Sequence, residues 1–235
     1  MKEVLYDKYV SSGQAGHVDA VESESIYYHF LNKLIFIHQD KGINILDIGC
    51  GSGGFLLYLK SKGFSNLFGV DVSAEQVALA KKRGDLDIQE GDLIAYTEKA
   101  DAAFFDVIIA KDIFEHLTLD ELYRLGKELK RVLKPGGMII GHVPNANGIF
   151  GMKIRYGDLT HVHAFNEKSL NQLFRALGFH GVRVIEDKPR SAGFIKNLIR
   201  RVMWEVLTFG YRLLHYIETG ERKIALSSNI SFLVS

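Results

Sequence analysis

The chain has 235 residues, 47% hydrophobic and 24% charged, with 23 glycines and a formal charge of +1; this excludes disordered, collagen-like and coiled-coil chains and a nucleic-acid binder built on a broad basic surface. A chain of this length buries roughly 70–75% of its unfolded surface, and its one cysteine, Cys50, rules out an intramolecular disulfide and fits a reducing compartment. With no apolar core of signal-peptide length at the start and no apolar run of the roughly 18 residues that a spanning helix needs, the expectation is a cytoplasmic protein.

Residues 1–41 precede the first strand and are expected to form a helical cap, with a helix around 22–37 and Tyr6, Tyr9, Tyr27 and Tyr28 as candidate lid aromatics. The apolar run 43–48 ends in a glycine cluster, as a buried strand feeding a turn does. Helical spacing follows over 55–62, a strand over 67–70, and a helix over 74–83 behind Ser73 as N-cap. Strands are expected at 88–90 and 105–110. The helical period over 120–133 stops at Lys134-Pro135-Gly136-Gly137, where proline and glycine forbid continuation. A strand at 138–143, a helix at 167–177 closed by Gly178, and strands at 182–185 and 229–234 complete the series. Such alternation predicts an α/β fold, a doubly wound parallel sheet with helices on both faces.

Asp47-Ile48-Gly49-Cys50-Gly51-Ser52-Gly53-Gly54 sits where the first strand becomes a helix. Glycines allow the tight turn and let a ligand approach main-chain N–H groups. Gly49, Gly51 and Gly54 satisfy the dinucleotide fingerprint, and Asp71 stands where a carboxylate grips ribose hydroxyls, so a nicotinamide enzyme is one reading. Downstream lie Gly91-Asp92-Leu93, Phe105-Asp106-Val107-Ile108-Ile109 and Leu133-Lys134-Pro135-Gly136-Gly137. In this order the segments resemble the class I S-adenosylmethionine-dependent methyltransferases, over about residues 43–186 plus the last strand; the second mononucleotide-binding half of many nicotinamide enzymes is not visible. The resemblance implies a seven-stranded sheet with an antiparallel last strand and S-adenosyl-L-methionine as cofactor. It implies Asp47, Gly49, Gly51 and Ser52 around the methionine moiety, Asp71 and Val72 at the ribose, Asp92 and Leu93 at the adenine, and Lys111 lining the methionine side. As local structure alone, Asp47 and Asp92 read as helix caps.

An activated methyl group chiefly needs a nucleophile held in line, and a hydroxyl acceptor must also lose a proton, work suited to histidine. His116, His161 and His163 follow the fourth and fifth strands. Asp112-Ile113-Phe114-Glu115-His116-Leu117 is expected to begin a helical turn, in which Asp112, Glu115 and His116 share a face. Asp158-Leu159-Thr160-His161-Val162-His163-Ala164-Phe165, if extended, points His161 and His163 the same way. Three readings stand: His161 or His163 is a metal-free general base; Glu115, His116 and one later histidine, with Asp112, hold a divalent metal ion; or the Glu-His pair braces the loop. The metal reading resembles the small-RNA 2′-O-methyltransferases, with their acid-x-x-Glu-His turn and later His-x-His-x-Phe, and the ubiquinone-pathway O-methyltransferases, which share the Glu-His turn. His17, His29, His38, His142, His180 and His215 read as surface or packing residues.

Residues 195–217 interleave Leu198, Ile199, Val202, Trp204, Leu207, Phe209 and Leu213 with Lys196, Arg200, Arg201 and Arg212. This reads either as an amphipathic helix pair packed on the domain or on a homodimer partner, or as a basic, aromatic surface for an anionic or lipid-linked acceptor at the inner face of a membrane. Residues 190–223 carry seven basic side chains against three glutamates, +4, which leaves −3 for the remainder. The chain is read as a single domain: a 1–41 cap, a 42–186 cofactor-binding core, a 187–228 insertion and a 229–235 last strand. With Pro144-Asn145 and the Asp-x-Thr-His-x-His turn, it resembles bacterial surface-polysaccharide methyltransferases. That implies methylation of a sugar hydroxyl on a glycan or nucleotide-linked sugar; the alternatives are a phenolic or quinone-precursor acceptor and a non-catalytic cofactor-binding subunit.

Overall fold

A computed structural model describes residues 40–191 and 193–235. The expected helix at 22–37, the four lid tyrosines, His17, His29 and His38 lie outside the described residues. Seven strands form one sheet in the order β3-β2-β1-β4-β5-β7-β6: β1 (Ile45–Ile48), β2 (Leu67–Asp71), β3 (Asp87–Glu90), β4 (Phe105–Lys111), β5 (Leu133–Pro144), β6 (Val182–Glu186) and β7 (Asn229–Val234). The first five are mutually parallel, and β7 runs antiparallel between β5 and β6.

Strand side chains alternate between the two faces, and both faces are covered. Leu46, Ile48 and Ile108 join one core with α4 (Leu119–Val132) and α6 (Glu167–Ala176), through Leu122, Leu125, Leu129, Leu170 and Phe174. Ile45, Val107 and Ile109 join the other with α1 (Gly54–Ser61) and α2 (Ala74–Arg83), through Phe55, Leu56, Leu59, Val77 and Ala80. Burial on both faces explains why the central strands read as continuous apolar runs.

Four elements differ from the sequence expectation. Strand β5 begins at Leu133 rather than at residue 138, with Lys134–Gly137 looped out: Phe105 pairs with Leu133, and the next pair is Val107 with Met138. Pro135 has no N–H for a ladder, and Gly136 adopts φ +79°, so the Pro-Gly-Gly run makes a bulge inside the strand instead of ending before it. Helices α3 (Leu93–Lys99) and α5 (Gly151–Gly157) are too short for their periodicity to show. The insertion forms one continuous helix, α7 (Phe194–Thr219), of 26 residues. No proline interrupts it, and the roughly 1 kcal/mol cost of mid-helix Gly210 is too small to break it. Among the described residues, no helix is long and apolar enough to cross a membrane.

At the β5–β7 junction, Gly141 lies opposite Phe232. A Cβ on Gly141 would fall 2.0 Å from Phe232 Cζ, and that ring stacks with Phe114 at 5.8 Å and packs at a tilt against Phe174 at 5.4 Å. Gly141→Ala should destabilise the protein by about 1–3 kcal/mol through overpacking, measured as a lower urea midpoint at unchanged slope.

Candidate active site

The turn from β1 into α1 is shaped by glycine. Gly49, Gly51 and Gly53 adopt φ of +73°, +53° and +72°, a region that side chains with a Cβ rarely enter. Gly49 is also fixed by a neighbour, since its Cβ would sit 2.0 Å from Ile113 Cδ1, in the loop after β4. At Gly51 a Cβ would meet nothing closer than Gln76 Oε1 at 3.8 Å, so one side of the turn is open. Asp71, at the end of β2, holds the turn: its carboxylate accepts from Gly51 N–H at 2.8 Å and Ser73 N–H at 2.9 Å.

Asp47 is only 4% exposed. Burial pushes its carboxyl up to about 7; Lys111 opposes that rise and Asp71 adds to it. It caps no helix, since the N-cap of α1 is Gly53. Asp92 does cap: Oδ1 accepts from Ile94 and Ala95 N–H at 3.0 and 2.9 Å at the start of α3. Leu93 is therefore the first residue of α3. Ser52 accepts a hydrogen bond from Arg83, and Val72 is 52% exposed beside Asp71.

Beyond β4, a 3₁₀ turn, Phe114–His116, puts Phe114 into the aromatic core and holds Glu115 and His116 buried. The carbonyl of Glu115 accepts from Val162 and His163 N–H at 2.6 and 3.0 Å, which draws the loop after α5 onto the turn. His116 and His161 then meet edge-to-face with ring centroids 4.7 Å apart. One ligand-type atom from each of Glu115, His116 and His161 lies within 4.8 Å of the others. Burial and the charge of Asp112 push the Glu115 carboxyl well above the ordinary range, and its Oε2 has no hydrogen-bond partner among the described residues.

The tautomers follow from the partners. Against the cost of burial, hydrogen bonds from Thr160 keep Asp158 below its ordinary range and hence ionised. Thr160 Oγ1 therefore donates to Asp158 Oδ1 at 2.6 Å and accepts from His116 Nδ1 at 2.8 Å. His161 Nδ1 donates to the Ile154 carbonyl at 3.1 Å. Each ring thus carries its lone pair on Nε2. Burial and the charge of His161 lower His116 to about 4, so it is neutral near pH 7.

Asp112 is not part of this cluster, and His163 is joined to it through the main chain, its N–H donating to the Glu115 carbonyl at 3.0 Å. The His163 ring packs at 5.9 Å from Phe165 and stands outside the Glu115–His116–His161 group; burial and Arg155 lower its pKa. Asp112 adopts φ +54°, which interrupts the helical face expected to align it with Glu115 and His116. It pairs instead with His142, which sequence reading had placed among packing residues. His142, 6% exposed on β5, bonds Asp112 Oδ1 through Nδ1 at 2.5 Å and Asp187 Oδ2 through Nε2 at 3.1 Å. Burial alone would lower its pKa, but the two carboxylates raise it to about 10. The available signal was a polar residue inside an apolar strand. Asn145, also buried, donates to the Ala225 and Ser227 carbonyls at 2.9 and 2.7 Å and ties the end of β5 to the chain returning from α7.

Residues 23–184 match a family model described as a methyltransferase domain. A ubiquinone biosynthesis O-methyltransferase from Coxiella burnetii is 31% identical over 129 residues, 51% of this chain and 53% of that protein. A probable fatty acid methyltransferase from Pseudomonas putida is 26% identical over 133 residues, 55% of this chain and 33% of that one. The chain thus matches about half or less of the length of these curated relatives. The crystal structure of a SAM dependent methyltransferase from Archaeoglobus fulgidus has the same fold, with a TM-score of 0.64 at 20% identity, covering 87% of this chain and 91% of the other.

The His142 clamp sets a pH dependence. A histidine raised from about 6.5 when unfolded to about 10 when folded adds stability that is complete below the lower value. That stability is lost as pH climbs through the upper one, at up to about 1.4 kcal/mol per pH unit. Melting temperatures of wild type and His142→Gln should differ most near pH 6 and converge towards pH 10; a constant difference would show that the clamp is uncharged.

Proposed function

The chain belongs to the methyltransferase-domain family, and on that footing we propose that it transfers a methyl group from S-adenosylmethionine to a hydroxyl oxygen. The observation that carries this reading is the Glu115–His116–His161 cluster, buried at Glu115 and His116 and half-buried at His161, which joins the loops after β4 and β5 at the same carboxyl edge of the sheet as the glycine turn, where doubly wound folds bind ligands. The residues at that edge suit the cofactor. The open side of Gly51 leaves room for it, Asp47 and the Lys111 side face its methionine part, and Asp71 suits ribose hydroxyls. Asp92 retains Oδ2 for an adenine amino group, with Leu93 behind it, and exposed Val72 offers apolar surface to the base. When bound, the cofactor supplies a methyl group already activated on a sulfonium.

The protein's own work is then to orient the acceptor and take its proton. His161 presents a lone pair on Nε2 and serves as the general base, while neutral His116, whose Nε2 is likewise an acceptor, receives a second hydroxyl of the same acceptor. His163, outside the cluster, shapes the wall. Thr160, Asp158 and Arg155 surround the cluster with polar groups, which suits a polyhydroxylated acceptor: a sugar on a glycan or a nucleotide-linked sugar. A phenolic or quinone-precursor acceptor is the second reading, favoured by the 31% identity to a ubiquinone biosynthesis O-methyltransferase. Glu115 Oε2, without a hydrogen-bond partner among the described residues, favours a metal-assisted variant. In it Glu115, His116 and His161 would hold a divalent ion, whose contribution is to lower the pKa of the hydroxyl.

A screen of nucleotide sugars, glycans and catechols with radiolabelled methyl donor tests the acceptor. On the substrate found, His161→Ala should lower kcat by about 10²–10⁴-fold. Chelation should leave turnover intact if His161 acts as a base and abolish it if a metal is held. Neither acceptor class accepting label would refute hydroxyl methylation.

Asp47 links cofactor binding to pH. Its carboxyl titrates near 7, and a sulfonium cation favours the carboxylate. Affinity for S-adenosylmethionine should therefore rise with pH up to about 7 and level off above, with proton uptake by buffer below it. In Asp47→Asn the calorimetric affinity should be weaker and lack this dependence.

A further inference from the structure

Helix α7 packs inside out. Its polar residues face the domain: Thr208 is buried, and Asn197, Trp204, Arg212 and His215 are half-buried. Arg212 pairs with Glu186 at 3.0 Å and with Glu205 at 2.9 Å. Lys188 also pairs with Glu205, and Arg200 donates to the Arg190 carbonyl. This network fixes the rotation of the helix about its axis. Ile199, Val202, Val206, Phe209, Leu213 and Ile217, recurring at helical spacing, are left 47–72% exposed. Leu207 and Leu214, at 68% and 62% exposed, widen the apolar face. Soluble proteins rarely leave a continuous apolar surface of this extent uncovered.

We infer that this face of α7 docks on an anionic lipid bilayer, with the helix lying in the plane of the interface. Charge selects that occupant. Lys196, Arg200 and Arg201 are exposed on the N-terminal half of the helix, where no acid lies before Glu205. Glu205 is itself neutralised by ion pairs with Lys188 and Arg212, and the other acid of the helix, Glu218, stands at its C-terminal end. Residues 190–223 carry +4 and the remainder −3, so an anionic surface attracts the helix with its flanks and repels the remainder, which orients the protein. At about 39 Å the helix is long, yet it is too polar to span a membrane; a wide apolar face accompanied by cations is the pattern of an interfacial helix. A second copy fits less well, because a two-helix seam covers only a narrow stripe. A cavity of about 450 Å³ runs beneath α7, lined by Met203, Trp204, Leu207, Phe150 and Asp187. Asp187 bonds His142, so this cavity reaches the His142 clamp.

Vesicle binding needs neither donor nor acceptor, so this inference stands or falls apart from the proposed methyl transfer. The full chain should co-sediment with vesicles of equal parts phosphatidylcholine and phosphatidylglycerol, weakly with phosphatidylcholine alone, and be released by high salt. Val206→Asp/Phe209→Asp, on exposed positions, should cut binding at least tenfold while leaving the melting temperature unchanged. Lys196→Ala/Arg201→Ala should weaken it on the order of fivefold for each charge removed. Failure to sediment, or retained binding in Val206→Asp/Phe209→Asp, would overturn the inference. So would a dimer in sedimentation equilibrium that Val206→Asp/Phe209→Asp disperses, since a second copy would then cover the face.

Discussion

A charged imidazole buried between two carboxylates ties together the parts of the chain on which the site depends. His142 belongs to β5, Asp112 to the loop after β4, and Asp187 to the segment that leaves β6 for α7. A buried cation is costly unless paired, and the two half-exposed carboxylates supply that pairing from either side. That pairing sets Asp112 in its left-handed conformation and closes the loop that leads to Glu115 and His116.

From that anchor the chemistry is built in layers. Phe114 enters the aromatic core with Phe174 and Phe232, so the two polar residues after it are carried inwards with it. The Glu115 carbonyl then captures the loop after α5, and Asp158 acts through Thr160 to determine which nitrogen of His116 bears the proton. A histidine oriented by a hydroxyl and a carboxylate behind it presents one defined lone pair, as a base or a metal ligand must. On the other side of the same sheet edge, the glycine turn is held by Asp71 rather than by a side chain of its own.

The repeating architecture was legible because both faces of the sheet are buried. Residues 74–83 and 229–234 were read with the bounds the structure shows, since Ser73 caps the former and an apolar run marks the latter. Short elements escaped: α3 and α5 have seven residues each, about two turns, too few for a 3.6-residue period to stand out. The Pro-Gly-Gly run was read as a boundary, whereas the sheet absorbs it as a bulge. In the site, Glu115, His116 and His161 are visible as a spacing pattern, whereas His142 reads as a surface or packing residue, because its partners lie 30 and 45 residues away.

The order of strands and helices, the glycine turn and the acids that follow the first three strands were determined by the sequence itself, because periodicity, glycine conformation and capping act over a few residues. Tertiary structure alone decided which histidines meet, which one is charged and which face of α7 looks outwards. Composition marked residues 195–217 as basic and amphipathic and would ordinarily turn the apolar side inwards. The ion pairs of Arg212, Glu186, Glu205 and Lys188 reverse that orientation, and such pairs join segments that no local rule connects.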